Sequence, residues 1–324
     1  MTRTRNINDP LVSVVLPTYK RPDNLRNAVK SVHNQTYDRI ELIVVDDHSP
    51  TPARDTLDSF THSDTNVEII RHNENRGANE ARNTGIRESN GEYIAFLDDD
   101  DDWDPVKIEK QVEAFREAGP EVGVVYTGSK YVYDDYERTV VFSLEGQVTE
   151  QILRGRSLGE FTTIMVRRDV IRAAGLPDTD FPSWQDRDWL LRLSCHCEFK
   201  PVSEPLTTRR RVTEDSRISD NFEEKRDISY PLFVEKHREL AAEYGWRCER
   251  AFMAATTESL GQEALKNGYY SDARKYLLKS LRYQPLDRSR LVYSAVACGG
   301  KPTYVAAHTI VRLLHRCRTN TIHK

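Results

Sequence analysis

Directly behind the apolar run "EYIAFL" the sequence sets five consecutive aspartates, Asp98 to Asp102, with Asp104 two residues further on. Carboxylates this close repel one another, and a chain gains nothing in folding by crowding them at the end of a strand. A strand ending in Asp98-Asp99-Asp100 splays alternate side chains, so Asp98 and Asp100 would point to one side. Such a pair binds hard divalent cations through oxygen: Mg2+ or Mn2+ takes one or two carboxylates and fills its shell with phosphate oxygens and water. The cation would then bridge a diphosphate and offset charge building on a departing phosphate. The plainer alternative is an acidic, solvated loop, and a run of aspartates alone favours it. Asp101, Asp102 and Asp104 are expected to be no more than that, with Asp102 or Asp104 capping the helix that follows.

Other chemistries lack their signatures. No G-x-G-x-x-G follows the first strand, which disfavours dinucleotide redox chemistry. There is no Walker A sequence for a P-loop, and no G-x-S-x-G elbow for a serine hydrolase. The "CHC" of residues 195–197 lacks a second ligand pair at metal-site spacing. Five cysteines in a chain of 324 residues do not suggest a disulfide framework, so reduced thiols are expected.

The elements that must position the acids are legible from periodicity. "LVSVVLP", "IELIVVDD", "VEIIRH", "EYIAFL" and "VGVVYTGS" read as strands; several are continuous apolar runs, as in sheets covered on both faces. Between them "RPDNLRNAVKSVHNQT", "TPARDTLDSF", "GANEARNTGIRES" and "PVKIEKQVEAFREAG" read as helices, the last opened by Pro105 and closed by Gly119. Right-handed crossovers then give an α/β fold, a doubly wound, mostly parallel sheet with helices on both faces. In such sheets ligands bind beyond the carboxyl ends of the strands, and three polar clusters sit there: "PTYK", "DDHS" and "DDDDD". Further on, "KYVYDDYERTVVF" reads as a hairpin, "TTIMVRRDVIRAAGLPD" as a strand entering a helix, and "QDRDWLLRLSCH" as a helix.

From about residue 222 the pattern is helical throughout. "LGQEALKNGYYSDARKYLLKSLRYQP" reads as two helices placed much as in a tetratricopeptide unit; a single such unit must pack on the rest of the protein or on neighbouring helices. The net charge of -4 conceals an asymmetry, because residues 225–324 hold 18 Lys and Arg against 9 Asp and Glu. The last helix, "YVAAHTIVRLLHRCR", sets Val305, Ile310, Leu313 and Leu314 against His308, Arg312, Arg316 and Arg318. Two readings stand for it: a helix docked on the body, or a basic amphipathic helix on anionic lipid. With 38% hydrophobic and 30% charged residues and no apolar run of eighteen, no helix is expected to span a bilayer. The first residues read as a lead-in to a strand and not as a signal peptide. The basic region has no clustered aromatics or nucleic-acid motif, so no nucleic-acid partner is expected.

Five stretches in fixed order resemble one family: "VSVVLPTYKRPDNLRNAVKSVHNQTY", "ELIVVDDHS", "NRGANEARNTGI", "GEYIAFLDDDDDW" and "WQDRDWLLRLS". Over roughly residues 10 to 210 the chain is similar to the family 2 glycosyltransferases, inverting enzymes of the GT-A fold that use a nucleotide-diphospho-sugar. The resemblance implies a catalytic domain over residues 1–215, followed by a helical, basic region over 216–324. It also implies a donor site edged by Pro17, Thr18 and Tyr19, with Asp47 accepting a hydrogen bond from the base and Asp46 beside it. Arg82 would sit near the diphosphate, where a guanidinium fork suits phosphate. Asp98 would lie towards the ribose and Asp100 on a Mn2+ or Mg2+ ion, with Asp99 able to take either share and Asp98 able to join the metal. Asp186 would be the general base, and Gln185 stands where the family usually has Glu. Asp188, two residues on, would point away, as a surface carboxylate or a support for the base. For Trp184 a stack under an acceptor sugar and a loop-anchoring role are both open.

A UDP-sugar donor and a sugar or lipid-linked acceptor follow from the same resemblance. A cytoplasmic location is expected, with the basic tail drawing the protein to the inner face of the cell membrane. Two alternatives remain at this point: a metal-dependent nucleotidyltransferase, although "PTYKRPDN" has none of the expected glycines, and a non-catalytic scaffold built on a degenerate transferase domain.

Overall fold

The computed structural model of the protein describes residues 9–58, 66–133, 136–210, 221–307 and 309. Strands β1 (Val12–Thr18), β2 (Ile40–Asp46), β3 (Asn66–Arg71) and β4 (Tyr93–Phe96) alternate with helices α1 (Pro22–His33), α2 (Ala53–Thr56) and α3 (Ala78–Glu88). The periodicity of α1 explains its place: Leu25, Ala28, Val29 and Val32 form a buried stripe, and Pro22 opens the first turn, where its missing N–H is not needed. These four strands pair in parallel in the order β3-β2-β1-β4, with Thr18 opposite Asp46 at the carboxyl end. The expected helix over "TPARDTLDSF" is a single turn among the described residues.

The chain continues through β5 (Asp101–Trp103), α4 (Lys107–Glu117) and the hairpin of β6 (Val122–Val132) with β7 (Glu137–Val140). Then come α5 (Thr149–Leu153), β8 (Ile164–Arg167), α6 (Arg168–Ala174), α7 (Gln185–Ser194) and β9 (Glu198–Arg210). The full sheet runs β3-β2-β1-β4-β8-β6-β9-β5, with β7 on β6. Its second half is mixed where a mostly parallel sheet was expected. The β6–β7 hairpin reverses the chain in place of a crossover helix, so β8 enters antiparallel to both β4 and β6. A second difference lies in the aspartates: β4 stops at Phe96, and Asp101 and Asp102 belong to β5, pairing with Arg209 and Thr208.

Beyond β9 the chain is helical: α8 (Phe222–Glu224), α9 (Tyr230–Glu243), α10 (Trp246–Lys266), α11 (Tyr270–Tyr283) and α12 (Arg288–Cys298), with residues 300–307 also helical. The α10–α11 pair packs on the rest of the protein, because one core joins Leu153, Phe181, Trp184 and Leu191 to Phe222, Phe233, Phe252 and Leu277. Among the described residues no helix is long and apolar enough to cross a membrane. His308, Ile310, Arg312, Leu313, Leu314, Arg316 and Arg318 of the expected last helix lie outside the described residues. Cys195, Cys197, Cys248 and Cys298 are free thiols, and burial pushes that of Cys197 up to about 12.

Candidate active site

A cleft of about 1690 Å³ opens at the carboxyl ends of β1, β2 and β4. Pro17, Thr18, Tyr19, Asp47, Arg82, Asp98, Asp99, Asp100 and Asp186 all line it. The residues expected to share a site are therefore brought together from five separate stretches. Strain collects around the same loops: among the described residues, the non-glycine positions with positive φ are Lys20, His48 and Trp184, at +62°, +67° and +66°.

After β4 the chain makes a tight turn, and the acids fan out to different partners. Thr18 Oγ1 donates to Asp99 Oδ2 at 2.8 Å, and Arg21 Nη1 lies 3.2 Å from Asp99 Oδ1 and 3.5 Å from Asp100 Oδ2. Arg82 Nη2 donates to Asp98 Oδ1 at 2.5 Å. Asp101 is buried on β5 and takes Arg209 Nε at 3.2 Å; Arg209 also pairs with Glu160. The expectation that Asp101 is a solvated loop residue is thus corrected: pairing β5 with β9 turns its side chain inward. Asp102 pairs with Arg210 at the sheet edge. Asp104 Oδ1 accepts from Val106 N ahead of α4, but Val106 is the N-cap and no side chain caps the helix, so the capping role expected of Asp102 or Asp104 is not filled.

Asp98, Asp100 and Asp101 each offer an oxygen within 4.8 Å of the others, and Asp101 Oδ2 is a buried acceptor with no partner among the described residues. An all-oxygen donor set with an orphaned carboxylate oxygen fits a hard divalent cation. Burial and the neighbouring charges set these carboxyls apart. Burial opposes ionisation of Asp98, but Arg82, with Arg209 and Arg21 behind it, holds that carboxyl below the usual range. Asp99 is pushed up to about 6 by burial, with the Asp100 charge adding to it. Burial carries Asp101 to about 7, reinforced by Asp98 and Asp100.

Helix α3 is seated by two contacts. Asp47 accepts from the backbone N–H groups of Arg76 and Gly77 at 2.8 Å each and from His72 Nδ1 at 2.8 Å. Its carboxylate thus orders the entry to α3 while it edges the cleft. Gly85 lies so close to β1 that a Cβ there would come 2.4 Å from Val15 Cγ1, so only glycine lets helix and strand approach. Arg82, one turn earlier, is buried with its guanidinium 4.1 Å from the Phe161 ring centroid, and its Nε has no partner among the described residues. Asp46 does structural work instead, accepting from Ser49 N and Ala53 N at 2.8 and 3.0 Å and pairing with Arg71.

Asp186 stands in the first turn of α7, half-buried, on the side of the cleft facing the helical region. Loss of water raises its carboxyl, Arg187 and Arg82 oppose the rise, and the Asp98 charge adds to it. Trp184 anchors its loop: Arg187 lies 4.4 Å from one ring centroid, and Tyr230 and Phe233 meet it edge-on. That packing favours anchoring over sugar stacking. Asp188 is fully buried, which corrects its surface reading; it takes Arg192, Lys236 and His237 at 2.9, 3.0 and 2.9 Å. Arg21, Arg187 and Arg209 also line the cleft, and sequence reasoning gave none of them a role. Arg209 lies outside every motif and reaches the cleft on β9, which pairs with β5, while Arg187 is held there by Ser259 of α10.

The profile of Glycosyl transferase family 2 matches residues 13–173. An uncharacterized glycosyltransferase of Haemophilus influenzae is 31% identical over 226 residues, covering 68% of this chain and 75% of that protein. The chain belongs to glycosyl transferase family 2. WfgD of Escherichia coli, named UDP-Glc:alpha-D-GlcNAc-diphosphoundecaprenol beta-1,3-glucosyltransferase, is 26% identical over 67% of this chain and 83% of its own. In fold, the chain is similar to S. aureus TarS 1-349 in complex with UDP-GlcNAc, at a TM-score of 0.62 and 16% identity, over 84% of this chain and 81% of that one. It is also similar to the mannosyltransferase PcManGT from Pyrobaculum calidifontis in complex with GDP-Man and Mn2+, at 0.54 and 17%, over 94% and 87%. The protein is a glycosyltransferase of GT-A fold. The nucleotidyltransferase and scaffold alternatives find no support among these matches.

Proposed function

We propose that this family 2 member is an inverting, metal-dependent transferase that moves a sugar from a UDP-sugar to a hydroxyl of a lipid-linked glycan. The observation that carries the reading is one cleft lined together by Arg82, the Asp98–Asp100 turn and Asp186. Asp98, Asp100 and Asp101 would hold a Mn2+ or Mg2+ ion. When bound, that ion supplies positive charge to the donor diphosphate.

The chain's own residues account for the rest. Asp186 accepts the proton of the acceptor hydroxyl as its oxygen forms a bond to the anomeric carbon from the face opposite the nucleotide. The bond from that carbon to the diphosphate breaks, and the diphosphate leaves with the electron pair. Arg82, preorganised against Phe161, and Arg21 face the developing negative charge. Thr18 and Asp99 form a hydrogen-bonded floor beneath the nucleotide, and Pro17, Tyr19 and Asp47 edge it. General base catalysis of this kind contributes roughly 10²–10⁴-fold.

The printed name of WfgD supports UDP as the carrier and a diphosphoundecaprenol-linked acceptor. An undecaprenyl chain partitions into a bilayer, and the 18 Lys and Arg against 9 Asp and Glu of residues 225–324 support peripheral contact with anionic lipid at the inner, cytoplasmic face. The deciding experiment is Asp186→Asn with UDP and UDP-sugars as probes. Transfer should fall at least 10²-fold while calorimetric nucleotide affinity stays within twofold; retained turnover removes Asp186 as the base. Flotation with vesicles of anionic lipid, compared with neutral vesicles, tests the membrane contact, and equal recovery disposes of it.

A further inference from the structure

The helical region supplies a wall of the cleft. Ala255, Glu258, Ser259, Gln262, Glu263 and Lys266 of α10 all line it, at the three- and four-residue spacing of one helix face. Leu260, Gly261, Ala264 and Leu265 of the same helix are buried, Gly261 against Leu277 of α11, so the polar stripe faces the cavity while other residues serve the core. The wall begins beside the base: Arg187, next to Asp186, donates from Nη1 to Ser259 Oγ at 2.9 Å.

Both carboxylates of this wall are ion-paired. Lys225 Nζ lies 2.9 Å from Glu263 Oε2, and Arg290 Nε lies 2.9 Å from Glu258 Oε2. Gln262 Nε2 donates to Glu258 Oε1 at 3.1 Å. The loop after α5 also lines the cleft and meets α10 at Gly155, whose φ of +90° and 2.5 Å approach of a would-be Cβ to Ala255 admit no side chain. Ser183, only 4% exposed, also lines the cleft, and its hydroxyl has no partner among the described residues.

We infer that this α10 face is the acceptor subsite and that it takes an uncharged sugar unit. The inference rests on the transferase reading above and deepens it. A pyranose ring presents neighbouring hydroxyls that each donate and accept, and the wall offers both kinds of partner side by side. A phosphate or carboxylate would instead find Lys225 and Arg290 already engaged by α10 carboxylates, and would have to break a pair to bind them.

The test uses the full chain and methyl glycosides of glucose, galactose, mannose and N-acetylglucosamine, titrated by saturation-transfer NMR, with methyl phosphate as the anionic probe. At least one neutral glycoside is expected to bind, and Gln262→Ala and Ser259→Ala should each weaken it tenfold or more. Gln262→Glu, which keeps the shape, guards against a variant that fails to fold and should also weaken binding. Binding of no neutral glycoside, binding unchanged in all three variants, or methyl phosphate competing for the same face overturns the inference. UDP affinity, measured on the same samples, separates the two failures: if the wild-type chain binds no nucleotide, the donor reading fails whatever the glycosides do.

Discussion

Asp188 Oδ1 accepts a hydrogen bond from His237 Nε2 at 2.9 Å, which ties the helix carrying the candidate base to α9 of the helical region. The tie extends further. Lys236 bridges Asp188 and Asp178 at 3.0 and 2.5 Å, and the backbone carbonyls of Asp178 and Pro177 accept from Asn79 and Asn83 of α3. One polar network therefore fixes the helix of Arg82, the helix of Asp186 and the C-terminal helices relative to one another. A buried ion pair is weak evidence for stability in itself, but breaking one strands a charge.

His237→Ala removes one partner and leaves Asp188 with fewer donors in a fully buried site. The expected loss is about 3 kcal/mol in urea unfolding, in the range for breaking a buried pair. Activity should fall beyond what the residual folded fraction explains, because α7 loses its brace. A loss of stability with turnover per folded molecule unchanged would reduce the network to a structural role.

The same carboxylate sets a pH signature. Burial alone would raise Asp188, but the His237 hydrogen bond, Arg192 and Lys236 hold it down at about 2. A carboxyl depressed in the folded state stabilises above its unfolded pKa, and that stabilisation disappears as pH falls through the folded value. The gap in unfolding free energy between wild type and Asp188→Asn should thus be constant near neutrality, about 2 kcal/mol from linkage, and should close between about pH 4 and pH 2. A gap that is flat across that window contradicts the assignment.

Asp186 shifts the other way. Its carboxyl is raised by burial, with Asp98 adding to the rise, and a base works only when it has lost its proton. As pH falls through the raised value the base is protonated and transfer stops. The acid limb of kcat/KM is therefore expected above the unperturbed Asp value of about 3.9. It should vanish from the residual activity of Asp186→Asn. An acid limb at or below that value would mean that another group limits the rate.

Much of this architecture is legible in the chain, and the exceptions have physical causes. The parallel half of the sheet follows from unbroken runs such as "VSVVLP", because strands covered on both faces have no other way to bury so much apolar surface. The cleft follows from Thr18, Asp47 and Asp98, each at or just beyond a strand end. What stays hidden are contacts set by distant pairing. Asp101 reads as a member of an acidic run and becomes buried only because Arg209, 108 residues later, pairs beside it. Asp188 reads as an exposed helix residue until His237 of another element covers it.

That distinction between neighbouring aspartates is testable at the metal. Asp100→Ala and Asp101→Asn should each lower Mn2+ affinity at least tenfold in calorimetry, since both offer oxygens to the cluster. Asp102→Asn, which alters only the Arg210 pair at the sheet edge, should leave it within twofold. EDTA should weaken UDP-sugar binding in the wild type by a factor similar to that of Asp100→Ala. Equal behaviour of Asp101→Asn and Asp102→Asn would return Asp101 to the acidic loop.

Gly85→Ala tests whether the seat of α3 governs the donor site from outside it. The added methyl would lie 2.4 Å from Val15 Cγ1, inside a core where Val15 has no exposed surface and so no free space to yield. Overpacking of this kind costs typically 1–3 kcal/mol, partly offset by the better helix propensity of alanine. The strain cannot relax into β1, which is hydrogen-bonded to β2 and β4 on its two edges, so α3 must move outward. Arg82 moves with it and loses its register with Asp98 and Phe161. The expected outcome is a lower melting temperature and a donor KM raised at least fivefold, with the acceptor KM little changed. Loss of stability with the donor KM intact would show that α3 shifts without carrying Arg82, and would uncouple the glycine from the chemistry.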